Sequence, residues 1–290
     1  MRDRAPGEVE QLEHGQMGTR LGEGLKAQGA LAPAAMERTL AAVAEFARRA
    51  QARDAAIACI ATSAVRRAVN AAEFAERVRA IAGAPLEVLD GLDEARASFI
   101  GATYGAPRDG RRIAVVDIGG GSTECALGCD GRLERGRSVE IGSVRVSERF
   151  PALMGGCAGE EARAAAREAR LAIDAEVGSF IALGRPDEVR AVAGTALTLA
   201  AVAFGSHVDR VSGAILPSAL LEATIERLLA ANLEQRRAMP GMLPQRADIL
   251  AGGALILAQT LRALAADAAL LEVNDLLLGY LLWRSASAAE

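Results

Sequence analysis

Residues 113–124 constrain this chain more than any other stretch. Ile113 to Asp117 is a short apolar run ending in an acid, and Gly119-Gly120-Gly121 follows one residue later. The run reads as a buried strand that carries Asp117 to its end. Three glycines permit torsions closed to other residues and leave no side chain in the way. Ser122, Thr123 and Glu124 come next, and Cys125 to Leu127 continues as a strand, not a helix. That order excludes the Rossmann fingerprint, and the absence of GxxxxGK[ST] excludes the Walker loop. What remains is a turn whose successive amides can face one concavity and bind phosphate oxygens. Ser122 and Thr123 add hydroxyl donors. Asp117 and Glu124 flank the turn, where carboxylates can hold a divalent cation directly or through water.

The surrounding pattern alternates strands and helices, which argues for α/β architecture. Residues 8–17 alternate weakly, as in a strand. Pro33 opens an Ala- and Leu-rich helix to about Arg53, and Ala56 to Thr62 reads as a buried strand. Asn70 and Glu73 have capping-box spacing ahead of a helix to about Ile81. Leu86 to Leu89 is a strand and Leu92 to Tyr104 a helix. The turn-rich stretch Gly105 to Gly110 predicts the domain boundary, giving domains 1–107 and 108–290. Beyond the glycine turn, Arg137 to Val146 reads as another strand, after a turn at Gly128 to Gly131. Helices are expected at 160–183, 196–204, 218–231, 246–264 and 276–283, with strands at 189–193 and 270–273.

Composition narrows the function. Hydrophobic residues make up 51% of the 290 and aromatics 3%, so the cores are aliphatic; Lys26 is the only lysine, so any cation that meets phosphate is an arginine. The net charge of −4 argues against a general nucleic-acid binder and asks a local pocket to meet any polyanion. Cys59, Cys125, Cys129 and Cys157 form no CxxC pair and read as small buried residues in a reducing compartment. No apolar stretch serves as a signal peptide or membrane span, so the expected location is the cytoplasm.

Three blocks in matching order carry a resemblance. Asp117 to Glu124 is similar to the DxGGGSTE loop of the exopolyphosphatase/guanosine pentaphosphate phosphatase (Ppx/GppA) family, in the actin-like and sugar-kinase superfamily. Thr62 to Asn70 resembles that family's upstream arginine block, and Gly91-Leu92-Asp93-Glu94-Ala95-Arg96 its G-x-E-E-A-R block. The resemblance implies a two-domain, ribonuclease H-like α/β fold with an interdomain cleft. It implies removal of terminal phosphate from polyphosphate, with guanosine pentaphosphate 5′-phosphatase activity as the alternative. Glu94 would be the base that deprotonates water. Arg66, Gly119, Gly120, Gly121, Ser122 and Thr123 would bind phosphate, with the turn at Gly194 and Thr195 as a second such loop. Asp117 and Glu124 would hold Mg²⁺ or Mn²⁺. Neither a nucleic-acid nor a membrane partner is implied, and a homodimer is allowed for.

Two departures accompany the resemblance. The family's opening D-x-G-S-N-S hairpin has no counterpart here, so the first domain is expected to be truncated. That leaves a non-catalytic polyphosphate- or nucleotide-binding regulator as a further alternative. The family's Gly-Leu-Arg-x-Gly turn is matched by Asp275 to Gly279 without its arginine. A sugar-kinase-like phosphotransferase would leave the Glu94 block unexplained.

Overall fold

The computed structural model describes residues 2–3 and 9–287 and divides into two compact units, Met1–Val88 and Leu89–Glu290. In the first, β1 (Arg2–Asp3) pairs antiparallel with β2 (Val9–Glu10). A short α1 (Leu25–Gln28) and a long α2 (Pro33–Gln51) follow, with Pro33 in the first turn, where a missing N–H costs nothing. Then come β3 (Cys59–Ala61), α3 (Ser63–Arg66), α4 (Ala71–Ala82) and β4 (Leu86–Val88), with β3 and β4 parallel. Met36 and Leu40, one turn apart on α2, bury against a core that includes Phe74 and Val78 of α4.

Two expectations change in this unit. Among the described residues of the 8–17 stretch only Val9–Glu10 is a strand; its alternation was weak. Asn70 makes no side-chain cap to α4. Its amide instead accepts from Leu31 N (2.8 Å) and donates to Leu31 O (3.1 Å). A tertiary contact has taken the group that a local cap would have used.

The second unit opens with α5 (Gly91–Thr103). A meander follows: β5 (Arg112–Ile118), β6 (Thr123–Cys129) and β7 (Arg132–Val139). Then come α6 (Ser143–Arg149), α7 (Glu160–Val177), β8 (Glu188–Val192), α8 (Ala193–Phe204), β9 (Ile215–Pro217) and α9 (Ser218–Ala230). The chain continues through α10 (Leu233–Arg237), α11 (Leu250–Ala263), β10 (Ala268–Leu271) and α12 (Leu276–Ser287). One six-stranded sheet has the order β7-β6-β5-β8-β10-β9. The β5–β8 and β8–β10 pairs are parallel; the meander pairs and β10–β9 are antiparallel.

Side chains alternate across β5. Ala114, Val116 and Ile118 join the larger core with Ile173 of α7, Leu199 of α8 and Leu255 of α11. Ile113 and Val115 turn the other way, into a smaller core with Ala95, Phe99 and Ala102 of α5. This is why the units part at Val88 and not at the 105–110 turn. That turn joins α5 to β5 within one unit, because the helix buries its apolar face on the sheet that follows it.

The expected strand over Arg137 to Val146 is in fact β7 followed by α6. The expected helix at 160–183 ends at Val177 and tightens into a 3₁₀ turn over Gly178–Leu183, and the 246–264 helix starts at Leu250. Only Cys125 of the four cysteines is fully buried. No described helix is long and apolar enough to cross a membrane.

Candidate active site

Strand register builds the centre of the site. Asp117 of β5 lies directly across from Glu124 of β6, and Glu124 across from Ser138 of β7. The alternation that points Val115 at α5 points Asp117 the same way, and Ala126 fixes the same face for Glu124. The three form a polar row at the end of an otherwise apolar surface, and Asp117 and Glu124 are both buried.

Helix α5 lies over this row. Its N-cap Asp90 accepts from Leu92 N and Asp93 N, both at 2.8 Å, and the acids of its first turn suit the positive end of the helix dipole. Gly91 rests on Ser138: a Cβ there would overlap the Ser138 side chain. At the other end of the row, Ser98 Oγ donates to Asp117 Oδ2 at 2.7 Å. From Gly91 to Ser98 the helix rises ~10.5 Å, and two strand spacings span ~9.6 Å. One stretch of helix therefore bridges β7 to β5. Glu94 falls between its two anchors, one turn before Ser98, and is buried.

Burial pushes the Glu124 carboxyl up to about 8; the charges of Glu94 and Asp117 add to the rise, while hydrogen bonds from Ser138 and Ser122 oppose it. Ser138 Oγ is 2.7 Å from Glu124 Oε1. Burial likewise pushes Asp117 up to about 6, against the Ser98 hydrogen bond and with a contribution from the Asp275 charge. Acids so crowded favour a cation or a proton between them.

The glycine turn is closed by Gly119 N donating to Ser122 O (3.0 Å). It is held from behind by α6: Ser143 N donates to Gly119 O (2.9 Å), and Val144 N to Gly120 O (3.0 Å). Gly142 sits so close to the Gly120 backbone that a Cβ would collide with it. With its carbonyls spent on α6, the turn keeps amides to offer: among the described residues, neither Gly120 N nor Gly121 N donates to a protein acceptor. Of the two hydroxyls expected to meet phosphate, that of Ser122 is buried and hydrogen-bonds Glu124; the other belongs to Thr123. It is fully buried, and its hydroxyl donates to Ile141 O at 2.6 Å. Thr123 serves the fold of the turn and has no hydroxyl to spare.

The second turn leaves the end of β8. Ala193 takes φ 64°, left-handed torsion in a residue with a side chain; such strain costs about 1–3 kcal/mol and gathers at functional sites. Gly194 follows, and a Cβ there would overlap the Arg246 guanidinium. Thr195 is buried in the first turn of α8, whose first N–H groups favour anions. Arg246 is the residue sequence reasoning missed. The fixed lack of a side chain at Gly194 was the available signal, since it implies a neighbour resting on the backbone.

Glu94, Asp117, Glu124 and both glycine turns thus belong to one unit, and Glu94 does not come from an opposing domain. Arg66 belongs to the other unit, half-buried at the last residue of α3. For a divalent ion, Asp117 and Glu124 fit as a pair of facing oxygen donors. Among the described residues no three acidic, histidine or cysteine side chains gather closely enough to hold an ion. Such a pair suits Mg²⁺, which takes one or two carboxylates and completes its shell with water and phosphate oxygens.

A meander at the edge of a sheet whose inner strands are parallel, with two glycine turns and an acid pair at the strand ends, defines an enzyme of the actin-like α/β class. The chain belongs to the Ppx/GppA phosphatase family: that family's model matches residues 2–274. It is 33% identical over 279 residues to exopolyphosphatase 2 of Mycobacterium tuberculosis, covering 90% of this chain and 83% of that one. Among solved structures, an exopolyphosphatase-like protein superposes with a TM-score of 0.85 at 29% identity, covering 93% of this chain and 90% of the other. The Ppx/GppA family member of Aquifex aeolicus gives 0.76 at 25%, covering 94% and 88%. The chain is accordingly a hydrolase of the phosphatase type.

Proposed function

We propose that this enzyme releases terminal orthophosphate from inorganic polyphosphate, with Glu94 as the general base. The observation that carries the reading is the placement of Glu94 on one helix stretch above Glu124 and Asp117, in the unit that holds the uncommitted amides of Gly120 and Gly121. The exopolyphosphatase names of the relatives support the choice of substrate.

The amides of Gly120 and Gly121 and the first turn of α8 receive the terminal phosphoryl oxygens, and Arg246 supplies the nearest fixed cation to the second turn. Glu94 orients a water and takes its proton as the oxygen approaches phosphorus, in line with the leaving chain. Phosphoryl transfer of this kind needs positioning and charge neutralisation more than covalent chemistry. Mg²⁺ or Mn²⁺ on Asp117 and Glu124 would supply much of that neutralisation. The four thiols are free, which supports a cytoplasmic location.

The test is phosphate release from defined polyphosphates and from guanosine pentaphosphate, with and without Mg²⁺. Release from polyphosphate that disappears in Glu94→Gln is expected. Turnover confined to the nucleotide would replace the substrate; binding without turnover by the native chain would defeat the reading.

A further inference from the structure

We infer that Ser98 and Ser138 are positioning residues that lock the two acids of the row to the helix bearing the base; the inference rests on the function proposed above. Each acid receives a serine hydroxyl at 2.7 Å, Ser98 Oγ to Asp117 Oδ2 and Ser138 Oγ to Glu124 Oε1, and Ser122 adds a second hydroxyl to Glu124. Ser98 and Ser138 are mechanically tied to α5. Ser98 is part of it, one turn after Glu94, and Ser138 is the surface on which Gly91 is seated.

The chemistry of the donors matters. An acid with a raised proton affinity, buried beside other acids, has several rotamers that relieve repulsion by swinging away from its neighbours. A serine hydroxyl on one oxygen removes that freedom and leaves the other lone pairs for a ligand. Asp117 Oδ1 takes no protein donor among the described residues. Ser98 is carried by α5 itself and Ser138 of β7 packs against its first residue, so a shift of α5 against the sheet would strain both contacts and change the spacing between Glu94 and the two acids.

Groups of this kind, which orient a ligand without touching what it binds, cost roughly 10- to 100-fold in activity or metal affinity when lost. Ser98→Ala and Ser98→Cys, which leaves no void and replaces the hydroxyl by a weak donor, are compared with the native enzyme. Thr103→Ala is the control: its hydroxyl is also buried on α5 but donates to Phe99 O of its own helix at 2.7 Å. Both Ser98 variants are expected to lose roughly 10- to 100-fold in kcat, with KM for polyphosphate nearly unchanged. In substrate-free thermal-shift titrations with Mn²⁺, both are expected to need roughly tenfold more ion for half of the maximal shift. Thr103→Ala should match the native enzyme in both readings, and Ser138→Ala should behave as Ser98→Ala does.

Native kcat and native ion dependence in Ser98→Ala would overturn the inference. So would a Ser98→Cys enzyme that keeps native kcat, since packing alone would then explain the alanine result. Should the native chain release no phosphate, the polyphosphate reading fails by itself, and the Mn²⁺ titration still decides the role of the serines.

Discussion

The two faces of the six-stranded sheet enclose opposite chemistry. On one, Ala114, Val116, Ile118 and Leu127 join Ile173, Leu199 and Leu255 in the larger apolar core. On the other, α5 covers a smaller apolar patch around Phe99 that ends in Asp117 and Glu124, with Glu94 close enough to raise the Glu124 proton affinity. The first face gains free energy from every side chain it buries. The second gives some of it up by crowding acids together. The acid row lies on one side of the sheet and the larger apolar core on the other.

The largest effect expected from this division is on rate. Glu94→Gln should lower kcat by about 10²- to 10⁴-fold while leaving the melting temperature unchanged or raised, as read by phosphate release and calorimetry on the same preparation. A collapse in stability would break the comparison. Leu255→Ala, in the hydrocarbon face, should do the reverse. It should cost about 2–5 kcal/mol in urea unfolding, with kcat per folded molecule within about twofold, because Leu255 is fully buried in the larger core.

Glu124→Gln sharpens the point with pH. Burial pushes the folded Glu124 carboxyl up to about 8 against a usual 4.5, so between those values the native state keeps a proton that the unfolded chain has released. Stability from this group is therefore fully present below about 4.5 and lost as pH rises toward about 8. The native melting temperature should fall over that interval more steeply than that of Glu124→Gln, and the variant should be the more stable at pH 8. Equal slopes would remove Glu124 as the source. The smallest effect is expected for Arg246→Lys. A compact ammonium cannot reproduce the planar fork lying on Gly194, and the loss of about 1.5 kcal/mol would raise KM roughly tenfold with little change in kcat.

The main strands and helices of the second unit were legible because period and punctuation agree there. Val115 to Glu124 shows a strand, a turn and a strand without ambiguity. Arg137 to Val146 did not read correctly for a physical reason. Val139, Ile141, Val144 and Val146 fit a strand as well as a helix, and the choice is made by Gly142 docking on the Gly120 backbone. The amides of Ser143 and Val144 then find their acceptors in the glycine turn, a partner far away in sequence. β9 was missed because three residues carry too little pattern. At the site, residue types were visible but pairings were not. Asp117 opposite Glu124 follows from strand register, whereas the seating of α5 on Ser138 and the rest of Arg246 on Gly194 are tertiary facts. Thr123 looked like a phosphate donor because its hydroxyl is adjacent to the turn, and strand alternation turned it inward to Ile141.

Helix α5 meets α12 at a crossing without side chains: a Cβ on Gly101 would strike Asp275 O, and one on Gly279 would strike Ala97 O. Backbone lies on backbone, so the two helices have almost no freedom to slide. The partner that fastens α5 is made long after it, once nearly all of the sheet has been synthesised. Contacts of such wide sequence separation form late in folding. A growing chain would thus own its glycine turns and acids well before α12 closes on α5 and fixes the placement of Glu94.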